Sequence, residues 1–248
     1  MGAPATPVER AAARRALALP DDAVVIRVLG RLSPHSKMDM FPLRDAISAC
    51  FQDSSRSKVH VVAAGWCDDG ATYPQSLASA FAAHGVALTV AQRPSEESKR
   101  SLYRSADVFV SLSDNPQETF GLTLLEAQAA GLPCVVTDYD GYRDVVADGV
   151  TGYLIPTFGV ADTATLDVMS TLLHRDELHL LLSQSTALDA EALRAALAAL
   201  FHDAGLRLRM GEAGIERVRS GFLWRHCVSR HLELWHELWL AECPRIDE

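Results

Sequence analysis

Residues 108–137 decide the fold of this chain, and they read VFVSLSDNPQETFGLTLLEAQAAGLPCVVT. The run at 108–112 is apolar, Asn115-Pro116 marks a turn, residues 121–130 carry a helical pattern, and 133–137 is a second apolar run. Continuous apolar runs of about five residues are typical of strands that are covered on both faces. A strand, a helix and a second strand in this order predict a βαβ unit with parallel strands.

The same alternation extends toward the N-terminus. Apolar runs predict strands at 24–29, 58–64 and 86–91, and the segments between the strands predict helices at 40–52, 74–84 and 95–105. We therefore predict an α/β fold, a Rossmann-like parallel sheet with helices on both faces. Sheets of this kind bind ligands at the carboxyl ends of their strands, so the loops that leave the strands are where a site is expected.

The segments on either side of 23–156 indicate helices. We predict a helix at 9–19 within an N-terminal segment, 1–22. Residues 157–248 predict a helical insertion and then helices at 189–203, 205–221 and 222–240, a C-terminal extension packed on the same domain. In the last helix, Trp235 and Trp239 share a face, which favours a core or interdomain stripe over a helix lying on a membrane.

The composition is that of an ordinary globular protein. The chain has 248 residues, a formal net charge of −9 and no run of Lys or Arg, which argues against nucleic-acid binding. No apolar stretch approaches the roughly 20 residues of a transmembrane helix, and a signal-peptide pattern is absent, so at most peripheral membrane association is expected. Five scattered cysteines without a C-x-x-C pair indicate free thiols in a reducing cytoplasm. The usual dehydrogenase, P-loop, zinc-protease and serine-hydrolase motifs are absent.

The first candidate site follows the strand at 108–112. Gly121 allows a ligand to approach the backbone, and the first amides of the predicted helix, capped by Thr119, can hold an anion. Glu118 and Glu126 bracket this point, eight positions and roughly 12 Å apart at the rise of a helix. A carboxylate can accept hydrogen bonds from two hydroxyl groups, so the pair suits a hydroxylated ligand with a phosphate between its two ends.

The second candidate site follows the first strand. Gly30-Arg31-Leu32-Ser33 leads to Lys37, which places two cations in a loop at the carboxyl end of a buried strand. Arg31 offers a fork of donors to two phosphate oxygens, and Lys37 offers a point charge to a further one. These residue types predict a phosphate-binding loop.

Taken together, these segments resemble the C-terminal domain of retaining GT-B glycosyltransferases of family 4. The resemblance is carried by Gly-Arg-Leu-Ser…Lys at 30–37, Ser-Ala-Asp-Val-Phe-Val at 105–110 and Glu-x7-Glu at 118–126. Ala-Ala-Gly-Leu-Pro-Cys-Val-Val at 129–136 and Asp-Gly-Val-Thr-Gly-Tyr-Leu at 148–154 continue it. It covers roughly residues 8–156 and resumes at 206–240, where Phe222-Leu223-Trp224 is similar to the Phe-Ser-Trp of the family.

The resemblance implies a role for each matched residue. Glu118 would be the catalytic residue that faces the transferred sugar, and Glu126 would bind the donor ribose. Arg31 and Lys37, in the loop that Gly30 opens, would hold the diphosphate leaving group in place of a metal ion, so no metal and no cofactor is expected. The remaining donor contacts would come from the amides of Phe120, Gly121 and Leu122 and, near the base, from Arg93. The expected ligand is a UDP-, GDP- or ADP-sugar.

Three departures from the family pattern qualify this expectation. Met38 stands where the family usually has glycine after the lysine, residues 157–189 form an insertion, and no acceptor-binding domain precedes the resembling segment. The resemblance therefore implies one half of a GT-B fold that meets its N-terminal acceptor domain in cis or in trans.

Other interpretations stay open at this point. Asp138-Tyr139-Asp140 is a D-x-D triplet that could hold a divalent metal, although two aspartates of a turn near the mouth of the site are the favoured interpretation. Besides hexosyl transfer to a glycan or a lipid-linked acceptor, the same residues could serve a non-catalytic nucleotide-sugar-binding module or a GT-B-type sugar-nucleotide epimerase. Fold alone does not decide among these functions.

Overall fold

A six-stranded parallel sheet forms the centre of the protein, as seen in a computed structural model that describes residues 4–33, 37–50, 58–67, 72–115 and 118–240. The strand order is β3-β2-β1-β4-β5-β6, and every pairing is parallel. The strands are β1 Val24–Arg31, β2 Val59–Trp66, β3 Ala87–Gln92, β4 Val108–Ser111, β5 Cys134–Thr137 and β6 Gly152–Ile155. The chain order reverses between β1 and β4, and this switch point is where such sheets open a crevice for ligands.

Helices cover both faces of the sheet, which confirms the predicted fold class. The helices up to β6 are α1 Pro7–Ala16, α2 Phe41–Cys50, α3 Thr72–Ala82, α4 Glu96–Ser105, α5 Leu122–Ala129 and α6 Tyr142–Val145. Alternate residues of β1 enter different cores: Ile26 packs with residues of α2 and α3, whereas Val25 packs with residues of α4 and α5. This alternation is the period of two that a strand buried on both faces requires.

Helix α1 is attached to the sheet through Asp107, which lies just before β4. The Asp107 carboxylate pairs with Arg10, accepts a hydrogen bond of 2.5 Å from Arg14, and accepts one of 2.7 Å from the Val25 amide. Thr6 and a glutamate three residues later cap the start of the helix with reciprocal hydrogen bonds. Because Arg14 is only 4% exposed and Asp107 only 8%, this ion pair lies within the protein.

The segment between β6 and the last helices is partly extended, whereas the sequence predicted it to be helical. Its elements are β7 Thr157–Phe158, α7 Ala164–Met169, α8 Arg175–Gln184 and β8 Ala187–Leu188. Strands β7 and β8 pair antiparallel in a separate two-stranded sheet, so the two ends of the segment lie side by side beyond the end of β6. We call residues 157–189 the insertion.

Three helices follow the insertion: α9 Ala190–His202, α10 Ala204–Gly221 and α11 Trp224–Leu240. Helix α9 packs on α2, and α10 packs on α5. Helix α11 buries none of its residues, and Trp235 and Trp239 are 61% and 87% exposed. The prediction that these rings lie in a core is therefore wrong for this chain, and the interdomain alternative stays a prediction.

Other expectations of the sequence concern membranes and thiols. Across the part of the chain that is described, no helix is long and apolar enough to cross a membrane. Cys50, Cys67, Cys134 and Cys227 are free thiols, and Cys243 lies outside the described residues, as do residues 51–52 at the predicted end of the second helix.

Candidate functional site

The two segments singled out in the sequence meet at the switch point of the sheet. Gly30 and Arg31 end β1, and Glu118 lies in the loop between β4 and α5. Lys37 packs its aliphatic chain on Gly30, because a Cβ at residue 30 would come within 3.0 Å of Lys37 Cε. Lys37 thus lies directly beside the end of β1, from where it reaches Glu118 in the loop after β4.

A buried ion pair joins the two loops. The Lys37 ammonium pairs with the Glu118 carboxylate and donates a hydrogen bond of 3.1 Å to the Tyr142 hydroxyl. That hydroxyl is 2.7 Å from the Ser111 hydroxyl at the end of β4. Burial, with a smaller contribution from nearby Arg31, lowers the pKa of Lys37 to about 8. The site therefore holds a cation whose charge can be lost slightly above neutral pH.

Tyr142 also shapes the start of α5. A Cβ at Gly121 would lie 2.7 Å from the Tyr142 ring, and one at Gly141 would lie 2.1 Å from the Thr119 carbonyl oxygen. Gly121 has φ of +87° and is itself the N-cap of α5, so the prediction that Thr119 caps this helix is wrong. Since the helix begins only at Leu122, Glu118 lies outside it, and the 12 Å spacing expected from helical rise does not apply.

The first turn of α5 presents its backbone at the same edge. Leu122 is 69% exposed, and the amides that begin a helix have no partner within it, so they can bind an anion. Phe120 is half-exposed, and its ring lies 6.4 Å from that of Phe222, which precedes α11. This contact links the predicted donor loop to the Phe222-Leu223-Trp224 segment.

A cavity of about 640 Å³ opens beside this turn, over the ends of β1, β2 and β3. Arg31, Arg93 and Glu126, three of the predicted donor-binding residues, line it together with Trp66. The guanidinium of Arg31 lies 5.9 Å from the centroid of the Trp66 ring. Arg93 has φ of +45°, and its amide donates a hydrogen bond of 2.5 Å to the end of β2. Two guanidinium groups, one carboxylate and an exposed aromatic ring suit a ligand that combines phosphate, hydroxyl groups and a flat base.

Two residues that the sequence did not single out hold Glu126 in place. The Tyr103 hydroxyl, on α4, donates a hydrogen bond of 2.9 Å to Glu126 Oε2. Arg27, fully buried in β1, lies with its Cζ 5.5 Å from the Tyr103 ring centroid and makes no hydrogen bond within the described chain. Burial lowers the pKa of Arg27 to about 10, against the opposing influence of Tyr103 and Glu126. Arg27 thus places a buried positive charge near the Glu126 carboxylate.

The D-x-D triplet, Asp138-Tyr139-Asp140, lies in the turn between β5 and α6. Asp138 accepts a hydrogen bond of 2.5 Å from Arg143, so its charge is already paired within the turn. Asp140 has φ of +43°, as expected of an aspartate in a tight turn. Among the residues that are described, no group of three His, Cys, Asp or Glu side chains is placed to hold a metal ion.

Comparison with known proteins gives a consistent picture of the family. Residues 9–187 match the family model described as glycosyl transferases group 1. A D-inositol 3-phosphate glycosyltransferase from Streptosporangium roseum is 37% identical over 173 residues, which are 68% of this chain and 39% of that protein. The chain thus spans well under half the length of that curated relative.

Solved structures share the fold at low sequence identity. The C-terminal domain of a glycosyl transferase group 1 family protein (LpcC) from Francisella tularensis has a TM-score of 0.62 at 17% identity, covering 89% of this chain and 95% of that one. Anabaena Alr3699/HepE in complex with UDP and glucose has a TM-score of 0.52 at 20% identity, covering 87% of this chain and 53% of that one.

Proposed function

This chain belongs to the glycosyl transferases group 1 family, and from that premise we propose that it is the donor-binding domain of a glycosyltransferase. In this proposal it binds a nucleoside diphosphate sugar and transfers the sugar with retention of configuration and without a metal ion. The acceptor is a hydroxyl group of a glycan or of a lipid-linked molecule. The single observation that carries the proposal is the meeting of Lys37, Glu118, Arg31 and Glu126 at one switch point.

The order of these groups matches the order of parts in a nucleotide sugar. Glu126 and Arg93 line the cavity over β1–β3, which we assign to the ribose and base. Arg31 lines the same cavity, and Lys37 lies beyond Gly30, so we assign the diphosphate to the space next to them. Glu118, held by Lys37, then faces the sugar.

This arrangement supplies what departure of the diphosphate requires. Negative charge develops on the leaving oxygen as the bond to the sugar breaks, and two cations held beside it stabilise that charge. In the free protein Glu118 already neutralises Lys37. An arriving diphosphate competes for the ammonium and releases the Glu118 carboxylate toward the sugar, where it can stabilise the developing positive charge at the reacting carbon.

The relatives support the placement but differ in what they act on. The Anabaena structure is in complex with UDP and glucose, which supports a UDP-sugar as one candidate donor. The Francisella chain of similar extent is a C-terminal domain, which supports the same placement for this chain. The Streptosporangium relative is named for an inositol phosphate acceptor, and its longer chain leaves room for a domain that would bind it.

The acceptor domain, in the same chain or in a separate one, would also explain the surface of α11. This helix exposes an apolar side that includes Val228, Leu232, Trp235 and Trp239. Exposed apolar surface of this extent is typical of an interaction site. We propose that the acceptor domain covers it.

Protonation of Lys37 should control nucleotide affinity. Its pKa is lowered to about 8, so the ammonium is charged below pH 8 and loses its charge above it. Because only the charged form attracts the diphosphate, we expect affinity to fall on the order of tenfold between pH 7.5 and 9.5. Calorimetric titration with the preferred nucleoside diphosphate measures this fall. In a Lys37→Met variant the nucleotide affinity should not change with pH over the same range. A fall in affinity as steep as that of the parent protein would contradict the assignment.

Removal of the Tyr103 hydroxyl should weaken binding through the ribose. Tyr103→Phe removes the hydrogen bond to Glu126, and a bond to a charged group contributes about 1.5–3 kcal/mol. We expect affinity for the preferred nucleotide to fall about tenfold. A nucleotide that lacks both ribose hydroxyls should bind the variant and the parent alike. If it too binds the variant tenfold more weakly, Tyr103 acts elsewhere than at the ribose.

Catalysis is tested with the acceptor domain present, in the same chain or supplied separately. In Glu118→Ala, transfer of the sugar from the donor should fall to background, but this variant should still bind the nucleotide. Unchanged transfer in both Glu118→Ala and Glu126→Ala would refute the site. Conversion of the free nucleotide sugar without any acceptor would indicate an epimerase, and donor binding without transfer to any acceptor would indicate a binding module.

A further inference from the structure

A second and larger cavity, of about 910 Å³, lies beside the proposed donor site. One wall is the start of α2 and the start of α9, and the opposite wall is the insertion, through α8 and β8. Its floor contains Asp114, just after β4, and Thr137, at the end of β5. The donor cavity opens over β1, β2 and β3, so the two cavities lie on opposite sides of the switch point.

Short contacts connect this cavity to the proposed catalytic pair. The Ser113 hydroxyl donates to the Lys37 carbonyl oxygen over 3.1 Å, and the Glu118 amide donates to the Asn115 carbonyl oxygen over 3.0 Å. Asp114, which lies between Ser113 and Asn115 in the chain, lines the cavity. The Asn115 side chain in turn donates from Nδ2 to the Ser183 hydroxyl on α8 over 3.0 Å. The insertion is thus bonded directly to the loop that carries Glu118.

The lining of the cavity is acidic and partly apolar. Its carboxylates are Asp39, Asp45, Asp114 and Glu191, and its one guanidinium, Arg194, is already paired with Glu191. Half-exposed Phe41 and Leu180 provide apolar surface. A phosphorylated ligand would meet this negative lining without a free cation among the lining residues, at a cost in Coulomb energy. Hydroxyl groups would find acceptors, and the apolar face of a sugar ring would find Phe41.

Asp114 gives the clearest sign that a ligand belongs there. Its Oδ1 is buried and makes no hydrogen bond within the described chain, and a buried polar atom without a partner is costly. Burial raises the pKa of Asp114 to about 7, with a smaller contribution from Asp39. Near neutral pH the carboxyl group can therefore both donate to and accept from hydroxyl groups.

We propose that the cavity between the insertion and α2 is the part of the acceptor site that this chain supplies, a subsite for an uncharged, polyhydroxylated acceptor, a sugar or a polyol, with the acceptor domain supplying the rest. The inference rests on the proposed function, since it names the acceptor class for the same reaction. The acceptor enters from the side of β4 and β5 and reaches the donor sugar past Asp114 and the Lys37–Glu118 pair. The insertion selects against a phosphate-bearing acceptor such as the one that the Streptosporangium relative is named for.

The test is ligand-observed NMR with the full chain and four probes: methyl α-glucoside, methyl α-mannoside, myo-inositol and glucose 6-phosphate. Gln184→Trp fills the cavity from its exposed rim on α8, and Asp114→Asn replaces the carboxyl group, whose Oδ1 is unpaired, by an amide that cannot ionise. Arg175→Trp adds the same ring on the same helix at a residue that does not line the cavity. Calorimetric titration with UDP, GDP and ADP is run on each variant, which reports on the donor site independently.

We expect at least one neutral probe to bind, and glucose 6-phosphate to bind more weakly. Gln184→Trp should weaken that binding at least tenfold and Asp114→Asn about fivefold, while Arg175→Trp and the nucleotide affinities stay unchanged. Probe binding that survives both cavity variants, a preference for the phosphorylated probe, or no probe binding at all would overturn the subsite. If the parent protein binds none of the three nucleotides, the proposed function is overturned instead, so the two failures are distinguishable.

Discussion

Replacing Arg31 and Lys37 together by alanine should weaken binding of the preferred nucleoside diphosphate at least a hundredfold. A hydrogen bond to a charged group contributes about 1.5–3 kcal/mol, and two such groups contribute about 3–6 kcal/mol if their effects add. Arg31 is placed to share its fork between two phosphate oxygens, and Lys37 supplies a buried point charge. The measurement is calorimetric titration with UDP, GDP and ADP at pH 7.

The matched control removes two positive charges elsewhere. Arg175 on α8 and Arg230 on α11 are both exposed, so Arg175→Ala with Arg230→Ala changes the net charge equally without touching the site. We expect this variant to bind nucleotide like the parent protein. If both double variants lose nucleotide affinity to a similar extent, long-range charge and not the proposed site determines that affinity.

Replacing Asp107 by alanine should lower the free energy of unfolding by about 3–5 kcal/mol, the cost of breaking a buried ion pair. Arg14 would remain buried without its carboxylate, and the Val25 amide would lose its acceptor. Burial already lowers the pKa of Arg10, which pairs with the same carboxylate, to about 10. Urea denaturation followed by circular dichroism measures the change.

Two further variants show whether the charge or the hydrogen bond dominates. Asp107→Asn keeps an acceptor for the Val25 amide, so we expect a smaller loss than for alanine. Asp144→Ala, at an exposed carboxylate of α6, should change the free energy of unfolding by no more than about 0.5 kcal/mol. An Asp107→Ala variant as stable as the parent would show that α1 does not depend on this ion pair.

The sequence alone predicted much of the fold, because the strands that are buried on both faces form unbroken apolar runs. Five of the six strands of the sheet were predicted within two residues of their ends. The sixth, Gly152–Ile155, has only four residues, and its first is a glycine that approaches the Cys134 carbonyl oxygen closely, so no apolar run marks it. Short edge strands of this kind are defined by their partner more than by their own residues.

The candidate site was predicted where residue type and loop position coincide, as for Arg31, Lys37 and Glu118. Arg27 and Tyr103 could not be found in this way, because both lie inside regular elements and meet Glu126 only through tertiary packing. One role assigned from local pattern was wrong for a related reason. Thr119 gives way as helix cap to Gly121, which has a positive φ and lies so close to the Tyr142 ring that a side chain would not fit.

The wall that the insertion forms was not predictable from sequence either. The hairpin of β7 and β8 has two residues in each strand, too few for a period of two to be recognised. The approach of α8 to the loop after β4 includes the hydrogen bond between the Asn115 side chain and Ser183. Sequence spacing carries no information about such a contact between residues 68 positions apart.

The donor site is tested by calorimetric titration of the parent chain with UDP, GDP and ADP, each with and without EDTA. We expect one of the three nucleotides to bind selectively and EDTA to leave its affinity unchanged. Binding that disappears in EDTA would contradict a donor site built on Arg31 and Lys37 in place of a metal ion. No binding by folded protein would contradict a donor site carried by this chain.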